Sequence, residues 1–145
     1  MTLDEIKLLH EQDRKIDQTQ LDVEALKIAS LHGKYLNIFT DEKMLYRKYN
    51  IDYTKLRKFK WEYYSGKSSQ EDLELHKKEP FGTKILRQDL DVYLDSDEEL
   101  QNSYTKLELQ KIKLEYLEGI LKELNARNWA IRAAIDWRKF TNGVN

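Results

Sequence analysis

Residues 43–67 read KMLYRKYNIDYTKLRKFKWEYYSGK. No proline interrupts this stretch and its one glycine, Gly66, stands near its end, so a helix can run unbroken to Tyr64 and stop at Ser65-Gly66. At about 100° per residue from Arg47, the residues Leu45, Tyr49, Leu56, Phe59 and Tyr63 fall in one arc of roughly 120° to 200°, which is the expected buried face. Lys43, Arg47, Lys48, Lys55, Arg57 and Lys58 take the opposite arc. Trp61 falls among these cations at about 320°, whereas Lys60 lies near 220°, well away from Lys58. Eight basic residues meet only Asp52 and Glu62 here, a net charge of +6.

The rest of the chain fits the same class. Five glycines and one proline in 145 residues leave little punctuation for an all-β fold, so an all-α domain is expected. Thr2 and Glu5 have the spacing of a capping box and open a first helix toward Arg14. Asp17 and Thr19 are candidate caps for a second helix carrying Leu21, Ala25, Ile28, Ala29, Leu36 and Phe39. Thr40 and Asp41 either cap a third helix or kink the second. The stretch 66–82 is poor in large apolar residues and reads as a mobile loop closed by Pro80 and Gly82. Residues 83–94 fit either a short helix or an extended arm. Ser96 and Glu99 repeat the capping-box spacing before a long helix with Leu100, Tyr104, Leu107, Ile112, Leu114, Leu117, Leu121 and Leu124. An end or bend is expected at 125–128, and then a last amphipathic helix over 129–140. The chain reads as one domain, 1–145, with 97–141 as its oligomerising C-terminal helices.

Composition excludes several chemistries. Without cysteine there is no disulfide framework, thiolate zinc site or cysteine nucleophile. The charged first residues form no signal-peptide core, and no stretch approaches the ~18 apolar residues of a membrane span, so a soluble protein is expected. No glycine-rich phosphate loop occurs, and His10, His32 and His76 stand apart without ligand spacing. No catalytic residue, metal or cofactor is assigned, and an enzyme is not expected.

The whole chain has a net charge of −1, but the charge is segregated: residues 89–99 hold Asp89, Asp91, Asp95, Asp97, Glu98 and Glu99 and no base. Single-stranded nucleic acid is held by cations along its phosphates and by aromatic rings under unstacked bases, the two residue types that share the basic arc. Arg47, Lys55, Arg57, Lys58 and Trp61 on that arc are therefore candidate single-stranded-DNA contacts, and Tyr64 and Lys67 at the end of the same segment are counted with them. Two alternatives remain open from the residues. Trp61 is equally placed to be buried against another subunit, and the basic face of a helical scaffold can meet an acidic protein. In the last helix Trp129, Ile131, Ala134, Ile135, Trp137 and Phe140 spread apolar surface too widely for one contact, which points to assembly of several copies through this helix.

These residues resemble the UvsY-type recombination mediators of T-even-like bacteriophages. Leu56, Lys58, Lys60, Tyr63, Tyr64, Ser65 and Gly66 carry the most specific part of the likeness. Ile16-Asp17, Thr19, Leu21, Glu24-Ala25, Lys34, Leu36 and Asn37 resemble the family's first element, and Arg127, Ala130-Ile131, Asp136, Arg138 and Phe140 its terminal helix. The likeness spans nearly the whole chain and is weakest over 67–95. It implies a non-enzymatic closed homo-oligomeric ring, a homo-hexamer or homo-heptamer. Such a ring binds single-stranded DNA and helps load a RecA-like phage recombinase onto strands coated by single-stranded-DNA-binding protein, in the cytoplasm of the infected bacterial host. It implies Lys58 and Lys60 as DNA contacts, with Lys60 where the family has arginine; lysine keeps the charge and loses the fork geometry.

Overall fold

The computed structural model describes residues 1–143, which form five α-helices and one 3-10 turn with no strand among the described residues. In chain order these are α1 (Leu3–Asp13), α2 (Leu21–Tyr64), α3 (Gln70–Leu75), the 3-10 turn (Arg87–Asp89), α4 (Leu90–Ser96) and α5 (Glu98–Thr141). The all-α expectation holds, and the helices are longer than the residues suggested. Thr40 neither caps nor breaks α2, because its hydroxyl donates back to the Leu36 carbonyl at 2.8 Å; that bond satisfies the hydroxyl without interrupting the helix. Likewise α5 runs through 125–128 without a break. Nothing in that stretch forbids helix, since Asn125 and Asn128 are exposed and the neighbouring Leu124 and Arg127 are buried on one side.

Two caps moved from their expected residues. Thr2 and Glu5 do form the capping box of α1, at 3.1 and 2.7 Å. Asp17, however, accepts from the Thr19 amide and hydroxyl in a local turn ahead of α2. At α5 the cap is Asp97 and not Ser96: its carboxylate accepts from the Leu100 amide at 2.8 Å, while the Ser96 hydroxyl turns back to the Val92 carbonyl at the end of α4. Within 66–82, expected as a mobile loop, Ser69 caps the short α3, whose Leu73 is buried. Residues 83–94 are neither a plain helix nor an arm, but an extended entry followed by the 3-10 turn and most of α4.

The described residues divide into two compact units, Met1–Lys43 with 112–143, and Met44–Lys111. In the first, Ile6, Tyr35, Leu117, Ile120 and Leu124 make the core, with Leu9, Leu31, Ile38, Phe39, Tyr116 and Leu121 packed around it. The end of α1 is tied down through Asp13. Its carboxylate accepts from the Tyr35 hydroxyl at 2.8 Å and the Lys34 ammonium at 2.7 Å, and its carbonyl accepts from Arg127 at 3.0 Å. A carboxylate beside a helix C-terminus is otherwise unfavourable, and these cations offset it. Partial burial works to raise the Asp13 carboxyl, but the bonds from Lys34 and Tyr35 outweigh it and hold the group below its ordinary range. His10, isolated in sequence, is buried edge-on to Tyr35 and Tyr116, with Nε2 3.1 Å from Glu123.

In the second unit Leu90, Leu94 and Leu100 pack with Tyr53, Leu56 and Tyr64. Phe81 and Tyr93 extend this core with ring contacts to Tyr64, and His76 stacks on Phe59 with centroids 3.7 Å apart. A buried polar centre joins the end of α2 to the start of α5. Lys60, 2% exposed, places its ammonium 3.0 Å from Asp97 and 3.3 Å from Glu99. Tyr64 donates to Asp97 at 2.6 Å, and Lys78 reaches Glu99 at 2.7 Å. Burial opposes ionisation of Asp97, but bonds from Tyr64, the Leu100 amide and Lys60 outweigh it and hold the carboxyl below the usual range. Lys78, against some burial and with help from Lys60, lowers Glu99 too. The same surroundings, burial first and then the Asp97 bond, push the Tyr64 phenol well above its ordinary value.

Denaturant unfolding should rank three changes. Ile120→Ala costs about 2–5 kcal/mol by opening a cavity, and Tyr35→Phe only about 0.5–1.5, because Lys34 still meets Asp13. Lys60→Met costs about 3–5 kcal/mol by stranding buried Asp97, and adding Asp97→Asn recovers most of it, since asparagine still caps α5. Acid titration of the unfolding midpoint tests the carboxylates. Both titrate below their ordinary values of 3.8 and 4.5 when folded. Their contribution is therefore complete above that range and drains away as pH falls through the lowered folded values, and Glu99→Gln flattens this acid limb.

Candidate nucleic-acid interface

Within the unit Met44–Lys111, α2 presents Arg47, Lys48, Lys55, Arg57 and Lys58 to solvent along one side. On the other side Phe59 is buried and Tyr49, Leu56 and Tyr63 are half-buried, as the periodicity required, while Leu45 is exposed. Lys58 is nearly free: its ammonium comes only within 3.9 Å of Glu62 across one turn, and such exposed pairs contribute little. Trp61 lies on the cationic side and is 42% exposed. Lys60 does not join that side. Two residues from Lys58 along a continuous helix, it points inward to Asp97 and Glu99, the arrangement that its separate angle on the helix anticipated.

Beyond Tyr64 the chain turns back on α2. The Gly66 amide donates to the Tyr63 carbonyl at 3.2 Å and the Lys67 amide to the Glu62 carbonyl at 2.8 Å, the paired bonds of a Schellman stop. Gly66 adopts φ 71°, the left-handed conformation this stop requires. The reversal brings the Lys67 ammonium over the Trp61 ring, 5.1 Å from its centroid. Tyr64, also a candidate DNA contact, has its hydroxyl committed to Asp97 and offers only its ring.

Trp61, Tyr64 and Lys67 line a cleft of about 300 Å³ with Ile85, Arg87 and Leu90. The periodicity missed Arg87 because residues 83–94 settled into no regular element in sequence. Its signal was a lone exposed cation between Leu86 and the acid run that starts at Asp89. The acid run divides in two: Asp97 and Glu99 are partners of Lys60, whereas Asp89, Asp91, Asp95 and Glu98 face solvent.

In the unit Met1–Lys43 with 112–143, the candidate assembly residues divide between two sides of α5. Ile131 is buried and, with Ala134, shares the wall of a cleft of about 330 Å³ with Ile16 and Leu21. Ile135 is half-buried. Trp129, Trp137 and Phe140 are 67%, 65% and 72% exposed, and the last two rings stack at 5.8 Å. Among the described residues no three His, Asp or Glu side chains converge as metal ligands, and no helix is long and apolar enough to cross a membrane.

Comparison with known proteins identifies the family of the chain. Residues 9–144 match the family model described as recombination, repair and ssDNA binding protein UvsY. The recombination protein uvsY of Enterobacteria phage T4 is 25% identical over 143 residues, covering 99% of each chain. Crystal structures of the bacteriophage T4 recombination mediator protein UvsY superpose with TM-scores of 0.85 and 0.87 at 24% identity. They cover 97% and 98% of this chain and 99% and 98% of theirs, a likeness that shows the shared fold. This chain belongs to the UvsY family of recombination, repair and single-stranded-DNA-binding proteins.

Proposed function

We propose that the chain is a recombination mediator. In this reading copies of it assemble into a closed ring of six or seven, hold single-stranded DNA, and help load a RecA-like recombinase onto strands coated by single-stranded-DNA-binding protein. The setting is the cytoplasm of a phage-infected bacterium. The observation that carries it is the exposed cationic side of α2, with Trp61 set among its charges, in a member of this family. The T4 relative whose fold it shares is itself described as a recombination mediator.

The mechanism is electrostatic. Arg47, Lys55, Arg57, Lys58 and Lys67 neutralise phosphates and release their counterions. A single subunit of net charge −1 binds weakly in this way. Repetition around a ring raises the apparent affinity by about 10² or more where several copies reach one strand together. Lys60 belongs to the same function by a different route: its charge is spent on Asp97 and Glu99, and it serves DNA by fixing the end of α2 beneath Trp61 and Lys67. Exposed Trp129, Trp137 and Phe140 supply the apolar surface that a second copy covers.

Fluorescence anisotropy with labelled oligo-dT at several salt concentrations tests the DNA site. Each of Arg57→Ala and Lys58→Ala should lower the slope of log affinity against log salt by about 0.7, the single-strand value per phosphate. Lys60→Met with Asp97→Asn should keep the wild-type slope. An equal loss of slope there would make Lys60 a direct contact, and a wild-type protein that ignores oligo-dT at low salt but binds an acidic polypeptide would replace this reading with a scaffold.

Sedimentation tests the assembly. Trp137→Ala with Phe140→Ala should shift the protein to smaller species and weaken oligo-dT binding by about 10²-fold through lost avidity, with helical content unchanged. Unaltered sedimentation would remove this part of α5 from the interface.

A further inference from the structure

The cleft beside Trp61 has a makeup that the rest of the cationic face lacks. Trp61 and Tyr64 contribute rings, Ile85 and Leu90 contribute aliphatic surface, and Lys67 and Arg87 contribute cations from two different segments. Its volume of about 300 Å³ lies at the small end of ligand pockets, suited to one planar group and not to a stack of them. Arg57 also lines a recess, of about 190 Å³ with Tyr53, Tyr104, Leu94 and Leu100, but there it is the single cation and it shares the wall with Asp95.

We propose that this cleft takes a single unstacked nucleobase of the bound strand, laid on the Trp61 indole, with the flanking phosphates met by Lys67 and Arg87. The inference rests on the single-strand binding described above and adds a base-recognition site and a new contact, Arg87. The chemistry is complementary in each part. A base carries a π-face whatever its identity, and stacking it on an aromatic ring removes apolar surface from water on both partners. Leu90, itself buried, and half-buried Ile85 wall the recess with surface that cannot compete for the base's hydrogen-bonding edge. Tyr64 has its hydroxyl turned to Asp97, so what it offers the cleft is its ring. Lys67 rests over the indole, an exposed contact readily exchanged for a phosphate. Arg87 sits at the start of the 3-10 turn, exposed, and its planar fork suits a phosphate.

The site also explains why so much of the unit Met44–Lys111 is committed to this corner. The Schellman stop at Gly66 places Lys67, the Lys60–Asp97 pair fixes the last turn of α2, and Leu90 reaches the cleft while it packs with Leu94 and Leu100. Moving any one of these alters the recess without touching the exposed cations of α2.

The test compares two labelled strands of equal length, oligo-dT and a chain of abasic tetrahydrofuran units, binding to the full-length protein. Wild type should prefer oligo-dT by roughly 5- to 150-fold, the range expected for one stacked base. Trp61→Ala should abolish the preference by weakening oligo-dT alone, and Trp61→Phe should retain part of it, which separates loss of stacking from loss of folding. Arg87→Ala should weaken both strands and lower the salt slope by about 0.7. A preference unchanged in Trp61→Ala, or wild-type binding equal for the two strands while Lys58→Ala still weakens both, overturns the base site and leaves strand binding intact. Failure of wild type to bind either strand overturns both.

Discussion

A lysine ammonium closed off from water is the constraint around which the unit Met44–Lys111 is arranged. A buried cation is tolerated only when acceptors surround it, and here they come from the opening of α5: Asp97, which also caps that helix, and Glu99 in its first turn. One carboxylate therefore satisfies a helix terminus, a tyrosine and a lysine at once. The end of α2, the start of α5 and the aromatic packing of Tyr64 with Phe81 and Tyr93 are thereby fixed as one body. The cationic side of α2 is held in place by charge on its hidden side.

This division of labour on one helix is compatible with a chain that carries almost no net charge. The cations that face solvent are weakly paired or unpaired by neighbouring carboxylates, as at Lys58, while the carboxylates of the acid run are partly consumed inside. Formal charge counts both sets alike, whereas solvent meets the outer cations and not the carboxylate buried at Asp97. The net charge of the chain is thus a poor guide to the potential at the face that matters.

Much of this was legible in the residues. The 3.6-residue period separated Phe59 and Leu56 from Arg57 and Lys58, and it set Lys60 apart, although it could not say what Lys60 met. Capping chemistry found Thr2 and Glu5 because both partners lie within one turn. It misplaced the start of α5 because Ser96 and Asp97 are both good caps, and the choice was made by Lys60 and Tyr64, over thirty residues away in sequence. Thr40 and residues 125–128 were read as interruptions because local propensity is all a short window offers, and burial of neighbours such as Leu124 and Arg127 overrode it. Arg87 and the cleft were out of reach for the same reason. They exist only once the Gly66 stop and α4 are brought together in three dimensions.

Asp97 has a further consequence, for how such a chain drifts over generations. A buried lysine facing a buried carboxylate ties positions 60 and 97 into one inherited unit, since losing the charge at one strands its partner in a place water does not reach. Exposed Arg47, Lys55 or Lys58 can be exchanged or relocated along α2 one at a time at small penalty. Lineages should therefore reshuffle the outer charges freely while the inner charge set passes down together or is replaced together, so that position 60 can exchange lysine and arginine but not lose its charge alone.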